Sequence, residues 1–109
     1  ALLLEAGAAV NQAMNGGFTA LYIACEEGHI DIARLLLEAS AAIDQATDDG
    51  GVTPLFIACR QGHLECARLL LEANAAVNQA SDDGVTPLSM ACQKGHLECV
   101  QLLLEANAA

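Results

Sequence analysis

Apolar residues in this chain come in two alternating short bursts. After Thr53, Leu55, Ala58 and Cys59 fall at i, i+3 and i+4, which predicts a short helix with one apolar face. After His63, Leu64, Ala67 and Leu71 fall at i, i+3 and i+7 as a core stripe. Leu69 and Leu70 widen that stripe for contact with a neighbouring unit. The polar positions between bursts are punctuation. Asp49-Gly50-Gly51 is a turn signal, with glycine supplying backbone conformations that a side chain would forbid. Thr53 can cap free amides and Pro54 suits the first helical position. Gly62 closes the first helix, and Glu65 stands near the positive end of the second. Asn74 follows the last turn, where a left-handed residue commonly ends a helix. Ala75 to Gln79 then leads extended into the next turn. The unit is turn, helix, turn, helix, connector.

That unit recurs. The stretch from Thr53 to Ala73 returns almost letter for letter at Thr86, and more loosely at Thr19, with offsets of 33 and 34 residues. A fixed period of this length marks a stacked-repeat solenoid. Each helix pair is too thin to bury its own apolar sides, so stacking is obligatory. The expected fold is an all-α solenoid of helix-turn-helix repeats with hairpin-like connecting loops. Such a fold has no central pocket and offers a long open surface. The 109 residues form one domain: a partial repeat and connector over 1–18, repeats over 19–52 and 53–85, and a repeat lacking its trailing hairpin over 86–109.

The pattern resembles the ankyrin repeat. Thr53-Pro54-Leu55, Ala58, Gly62-His63 and Leu70-Leu71 match that family's signature, as do Thr86-Pro87-Leu88, Ala91, Gly95-His96 and Leu103-Leu104. Thr19, Leu21, Ala24, Gly28-His29 and Leu36-Leu37 match with Ala20 in place of proline. Ala1 to Val10, with Leu2-Leu3-Leu4 and Gly7-Ala8, looks like the second helix and tail of an earlier repeat. The departures tune stability. Tyr22, Phe56 and Ser89 replace the signature histidine, losing a hydrogen bond that in the family ties turn to helix. Cys25, Cys59 and Cys92 replace the second alanine, and Ser40, Asn74 and Asn107 replace the glycine after helix two. Ala42 and Ala76 replace an aspartate, and the extra residue at Gly50-Gly51 should lengthen one hairpin tip.

The resemblance implies a non-catalytic module that binds a protein or peptide through hairpin tips and the exposed side of the first helices. On this chain those positions are Asn15, Gly16, Phe18, Glu26 and Glu27 in the first set. Asp48, Asp49, Val52, Arg60 and Gln61 form the second, and Asp82, Asp83, Val85, Gln93 and Lys94 the third. Aromatics are enriched at binding hot spots, so Phe18 and Tyr22 are the expected anchors, with Phe56 alongside.

Charge narrows the partner. The net charge is −10 with four Lys and Arg in all. Nucleic-acid affinity comes largely from those two residues, so a phosphate backbone is not the expected partner, nor is an acidic membrane surface. A basic or apolar protein is. No apolar run approaches the roughly 20 residues that span a bilayer, and no leader is visible.

The five cysteines read as buried thiols. Stacked helices lie about 8–10 Å apart, beyond the Cα separation of about 7 Å that a disulfide tolerates. The ladder of equivalent cysteines therefore cannot be bridged. Cys59/Cys66 and Cys92/Cys99, seven apart, are the remaining exceptions. Five free thiols point to a reducing, intracellular compartment.

Other chemistry is weak. His29, His63 and His96 are one repeat apart, too dispersed for zinc, and suit a structural role opening helix two. Asp44, Asp48, Asp49 and Gly50 resemble the start of a calcium loop, but its twelfth position is Leu55. Ser81 and Ser89 have no base partner, and no phosphate loop is present, so neither catalysis nor a cofactor is expected. Two alternatives stand beside the binding module. One is a targeting or regulatory fragment of a larger enzyme or channel, which the opening inside a helix at Leu2 favours. The other is an engineered scaffold, against which free cysteines and uneven hairpins speak. End-to-end self-association is expected, because the last repeat keeps the Leu102-Leu103-Leu104 stripe with no polar substitution.

Overall fold

A computed structural model describes residues 8–106. Three helix pairs follow a short 3-10 turn over Ala8–Asn11: α1 (Ala20–Glu27) with α2 (Ile30–Glu38), α3 (Pro54–Gln61) with α4 (Leu64–Glu72), and α5 (Pro87–Lys94) with α6 (Leu97–Glu105). First helices pack on first helices, second on second, and each pair on itself. The described residues hold one isolated bridge, Met14 with Phe18, and no strand. The fold is the all-α solenoid expected.

Local chemistry sets the ends. Thr19, Thr53 and Thr86 cap the first helices, each hydroxyl accepting from the amide three residues on, at 3.1–3.2 Å. Gly28, Gly62 and Gly95 end those helices in the left-handed conformation. After the second helices the left-handed residues are Ser40 (φ 67) and Asn74 (φ 69). Asn107 lies outside the described residues, as does the Leu2-Leu3-Leu4 segment.

Two sequence expectations need correction. The deepest positions of α4 are Cys66, Ala67 and Leu70, with Leu64 and Leu71 only half-buried. The middle second helix, α4, packs against its own first helix and against both α2 and α6, so its apolar arc centres on Leu70 and not on Leu71. Ser89 also retains a tie to its cap, with the Thr86 hydroxyl 3.2 Å from the Ser89 hydroxyl.

Side chains stitch adjacent repeats at the same places in each. The Glu26 carbonyl accepts from His63 Nε2 and the Arg60 carbonyl from His96 Nε2, both at 3.0 Å. A carbonyl can only accept, so Nε2 carries the proton in both rings. Asn11 Oδ1 accepts from the Ala42 amide (2.6 Å) and Asp44 Oδ1 from the Ala76 amide (2.9 Å). Asp44 thus acts as a structural acceptor between two repeats.

Candidate functional site

Three hairpins line one edge of the stack. In the first, the Met14 amide donates to the Phe18 carbonyl at 3.0 Å. In the third, the Ser81 amide donates to the Val85 carbonyl at 2.8 Å, spanning the same number of residues. The middle closure, Thr47 amide to Val52 carbonyl at 3.0 Å, spans one more. Thr47 accommodates the extra residue: its hydroxyl donates to the Asp49 carbonyl (2.9 Å) and accepts from the Val52 amide (3.1 Å). Neighbouring tips are bonded to each other, the Asp48 amide to the Gly16 carbonyl at 2.8 Å and the Asp82 amide to the Gly50 carbonyl at 2.9 Å. The tips so joined form one continuous ledge.

Asn15, Asp48, Asp49, Asp82 and Asp83 are all exposed on that ledge. Gly16, Val52 and Val85 are half-buried beneath it. Behind it on the first helices, Glu27, Arg60, Gln61, Gln93 and Lys94 are exposed and Glu26 is half-buried. Two of the four cations are occupied elsewhere: Arg34 sits 3.7 Å from Asp31 and Arg68 3.9 Å from Glu65, both on second helices. Four aspartates thus share one edge without a cation among the ion pairs of the described residues.

The aromatic expectations divide. Phe18 is accessible, with 36% of its surface exposed. Its ring meets Tyr22 at 5.2 Å between centroids, tilted by 58°. Tyr22 and Phe56, expected at the surface, are instead buried in the stack. Both follow a capping threonine by three residues, a position that faces the adjoining repeat. Burial, then the Glu26 carboxylate, pushes the Tyr22 hydroxyl above its usual range, with Arg60 opposing. Tyr22 acts instead as the floor on which Phe18 rests.

The cysteines depart further from expectation. Cys25, Cys59, Cys66 and Cys99 are buried, but Cys92 is exposed. The meetings are neither between equivalent cysteines nor within a repeat: the Cys25 thiol faces Cys66, and the Cys59 thiol faces Cys99. The thiol opposite, then burial, holds Cys25 and Cys59 far above the usual thiol range. The facing thiol shifts Cys66 and Cys99 the other way, downward, against burial. A small thiol reagent is therefore expected to label Cys92 of native protein at once and the other four only after denaturant. Mass spectrometry of the adducts checks this, and equal labelling of all five would contradict it.

Among the described residues no group of three or more metal-binding side chains converges, and no helix is long and apolar enough to cross a membrane. The architecture defines a repeat solenoid that displays a continuous ledge. The model for ankyrin repeats, in three copies, matches residues 1–47 and 41–109, and the chain belongs to that family. Ankyrin repeats generally mediate protein–protein interaction. The chain is 47% identical over 48 residues to mouse protein phosphatase 1 regulatory subunit 27, covering 44% of this chain and 31% of that protein. It is 53% identical over 47 residues to mouse ankyrin repeat domain-containing protein 63, covering 43% and 12%. Against platypus cortactin-binding protein 2 it is 50% identical over 43 residues, covering 39% and 3%. The matched segments thus span less than a third of each of these relatives.

Proposed function

We propose that the chain is a non-catalytic binding module whose hairpin ledge takes a basic protein or peptide carrying an apolar anchor. The observation that carries this is the row of Asp48, Asp49, Asp82 and Asp83 on hydrogen-bonded tips, beside the accessible face of Phe18. Joined tips keep the field in place before the partner arrives, so little ordering entropy is lost on binding. Phe18 supplies the apolar contact, and the exposed Arg60 and Lys94 stand behind the tips on the first helices of the second and third repeats. Nucleic acid and acidic membrane are poor partners for this surface, for the charge reason given above. The buried free thiols suit a reducing, intracellular setting. One relative is by name a regulatory subunit of a phosphatase, which favours, as a second reading, a module that serves a larger enzyme.

The test is a screen of immobilised chain against lysine- and arginine-rich peptides with and without an aromatic residue. The on-rate of a binder is expected to fall about tenfold or more between low and high salt, as steered association does. Substituting all four aspartates by asparagine should remove most of that salt dependence, and Phe18→Ala should mainly speed dissociation. An on-rate indifferent to salt and to the asparagine variant would sink the proposal.

A further inference from the structure

Away from the hairpin ledge, the second helices carry two grooves built from equivalent residues one repeat apart. The first, of about 380 Å³, lies between α2 and α4 and is lined by Arg34, Leu37, Glu38, Leu69, Glu72 and Ala73. The second, of about 210 Å³, lies between α4 and α6 and repeats that set as Arg68, Leu71, Glu72, Leu102, Glu105 and Ala106. Each lies between two adjoining repeats and not at an end of the stack. The two leucines of each groove are half-buried, packed against the core on one side and open to the groove on the other. Glu38, Glu72 and Glu105 form a ladder along the grooves, with Glu72 shared between them. All three are exposed, and none joins an ion pair among the described residues. Arg34 and Arg68 are each paired with an acid of their own helix, Asp31 at 3.7 Å and Glu65 at 3.9 Å. The second helices carry no other cation.

We infer that these grooves seat a basic amphipathic helix of a partner protein, laid along the stack across α2, α4 and α6. Spacing selects a helix. Packed helices lie about 8–10 Å apart, so the grooves recur at about that interval. A helix advances about 10.5 Å in seven residues and returns to the same face. Same-face residues of a strand recur at about 6.6 Å or about 13 Å, which misses the interval. Large apolar residues at i and i+7 of the partner fill the two grooves, and Lys or Arg at i−3, i+4 and i+11 meets the three glutamates. Charge selects the sign. A second copy of this chain would bring its own glutamates against the ladder, and like charges face to face oppose docking. The surface shares no residue with the ledge, so the inference goes beyond the ledge reading and does not depend on it.

Fluorescence anisotropy tests this with the whole chain and a labelled synthetic peptide of three heptads, leucine at i and i+7 and lysine at i−3, i+4 and i+11. One control peptide has the same composition with its leucines at i and i+5, and another is interrupted by proline so that it cannot form the helix. The first peptide is expected to bind at least about tenfold more tightly than either control, since each seats a leucine the less. Ala73 is exposed, so Ala73→Gln fills the first groove in an intact fold, which circular dichroism checks, and should weaken binding about tenfold. Glu38→Gln, Glu72→Gln and Glu105→Gln together should weaken it about tenfold at low salt and little at high salt. Asparagine at the four ledge aspartates should leave it unchanged. Absence of binding would overturn the inference, as would equal binding of the three peptides, which would mean charge without a seat. Binding lost with the ledge aspartates and kept in Ala73→Gln would move the contact to the ledge and overturn it too. So would self-association of the chain that Ala73→Gln abolishes, which would assign the grooves to a second copy.

Discussion

Leu70→Ala is expected to cost about 3–5 kcal/mol, and Leu104→Ala less than about 0.5 kcal/mol, although both lie in the same Leu-Leu-Leu-Glu motif. Leu70 is wholly buried in the core, on the middle second helix, which packs against α3, α2 and α6. Removing its isobutyl group loses the transfer free energy of those atoms and leaves a void that three neighbouring helices cannot all close. Leu104 is 55% exposed and loses little burial. Total stability of a domain is about 5–15 kcal/mol, so Leu70→Ala takes a large share of it. Urea unfolding followed by circular dichroism gives both values from shifts in midpoint at constant slope. Comparable costs at the two sites would mean that the buried stripe does not run through Leu70.

These two leucines also show what the chain makes legible. The helices, their threonine caps, their glycine stops and the left-handed Ser40 and Asn74 follow from chemistry within a few residues, and the sequence displays that chemistry directly. The 33–34-residue period adds the stacking. What it leaves open is rotational register between repeats, because an eight- or nine-residue helix with apolar residues on most sides has more than one arc it can bury. Hence the spacing points to a stripe through Leu64, Ala67 and Leu71, and of these Ala67 alone is fully buried, beside Cys66 and Leu70. Tyr22 and Phe56 look like surface anchors for the same reason. They occupy the slot of a signature histidine, and nothing local says whether an aromatic there points to solvent or to the next repeat.

The thiol pairs are less legible still. Equivalent cysteines are the natural comparison in a repeat sequence, and Cys25, Cys59 and Cys92 are indeed apart. Contact runs diagonally, from a first helix to the following second helix, so it joins positions 41 and 40 residues apart (Cys25 to Cys66, Cys59 to Cys99) and not one period. The ledge is more legible, because turn residues must be exposed wherever the helices pack. The bonds that join one tip to the next are not, since they involve backbone amides and carbonyls that every residue carries.

Gly62→Ala and Gly95→Ala, by contrast, should separate the cost of a backbone conformation from the cost of an interface. Both glycines end a first helix at nearly the same positive φ, 74° and 75°. Alanine in that conformation costs about 1–2 kcal/mol through its own Cβ, and this is common to both sites. The surroundings differ. A Cβ on Gly62 would lie 2.7 Å from His96 Cε1 and Nδ1, whereas at Gly95 nothing lies within 4 Å. The imidazole must turn from its rotamer at about 0.5–1.5 kcal/mol. Its bond to the Arg60 carbonyl, now 3.0 Å, then weakens or breaks, costing about 1 kcal/mol more. Gly62→Ala should therefore cost about 3–4 kcal/mol and Gly95→Ala about 1–2 kcal/mol. A cycle with His96→Ala isolates the cause, since residues in contact are not additive. In that background the excess at position 62 should vanish and leave only the backbone cost, because the imidazole is no longer there to be displaced. An excess that survived removal of His96 would place the strain in the backbone of the α3–α4 turn and not in the clash with the imidazole.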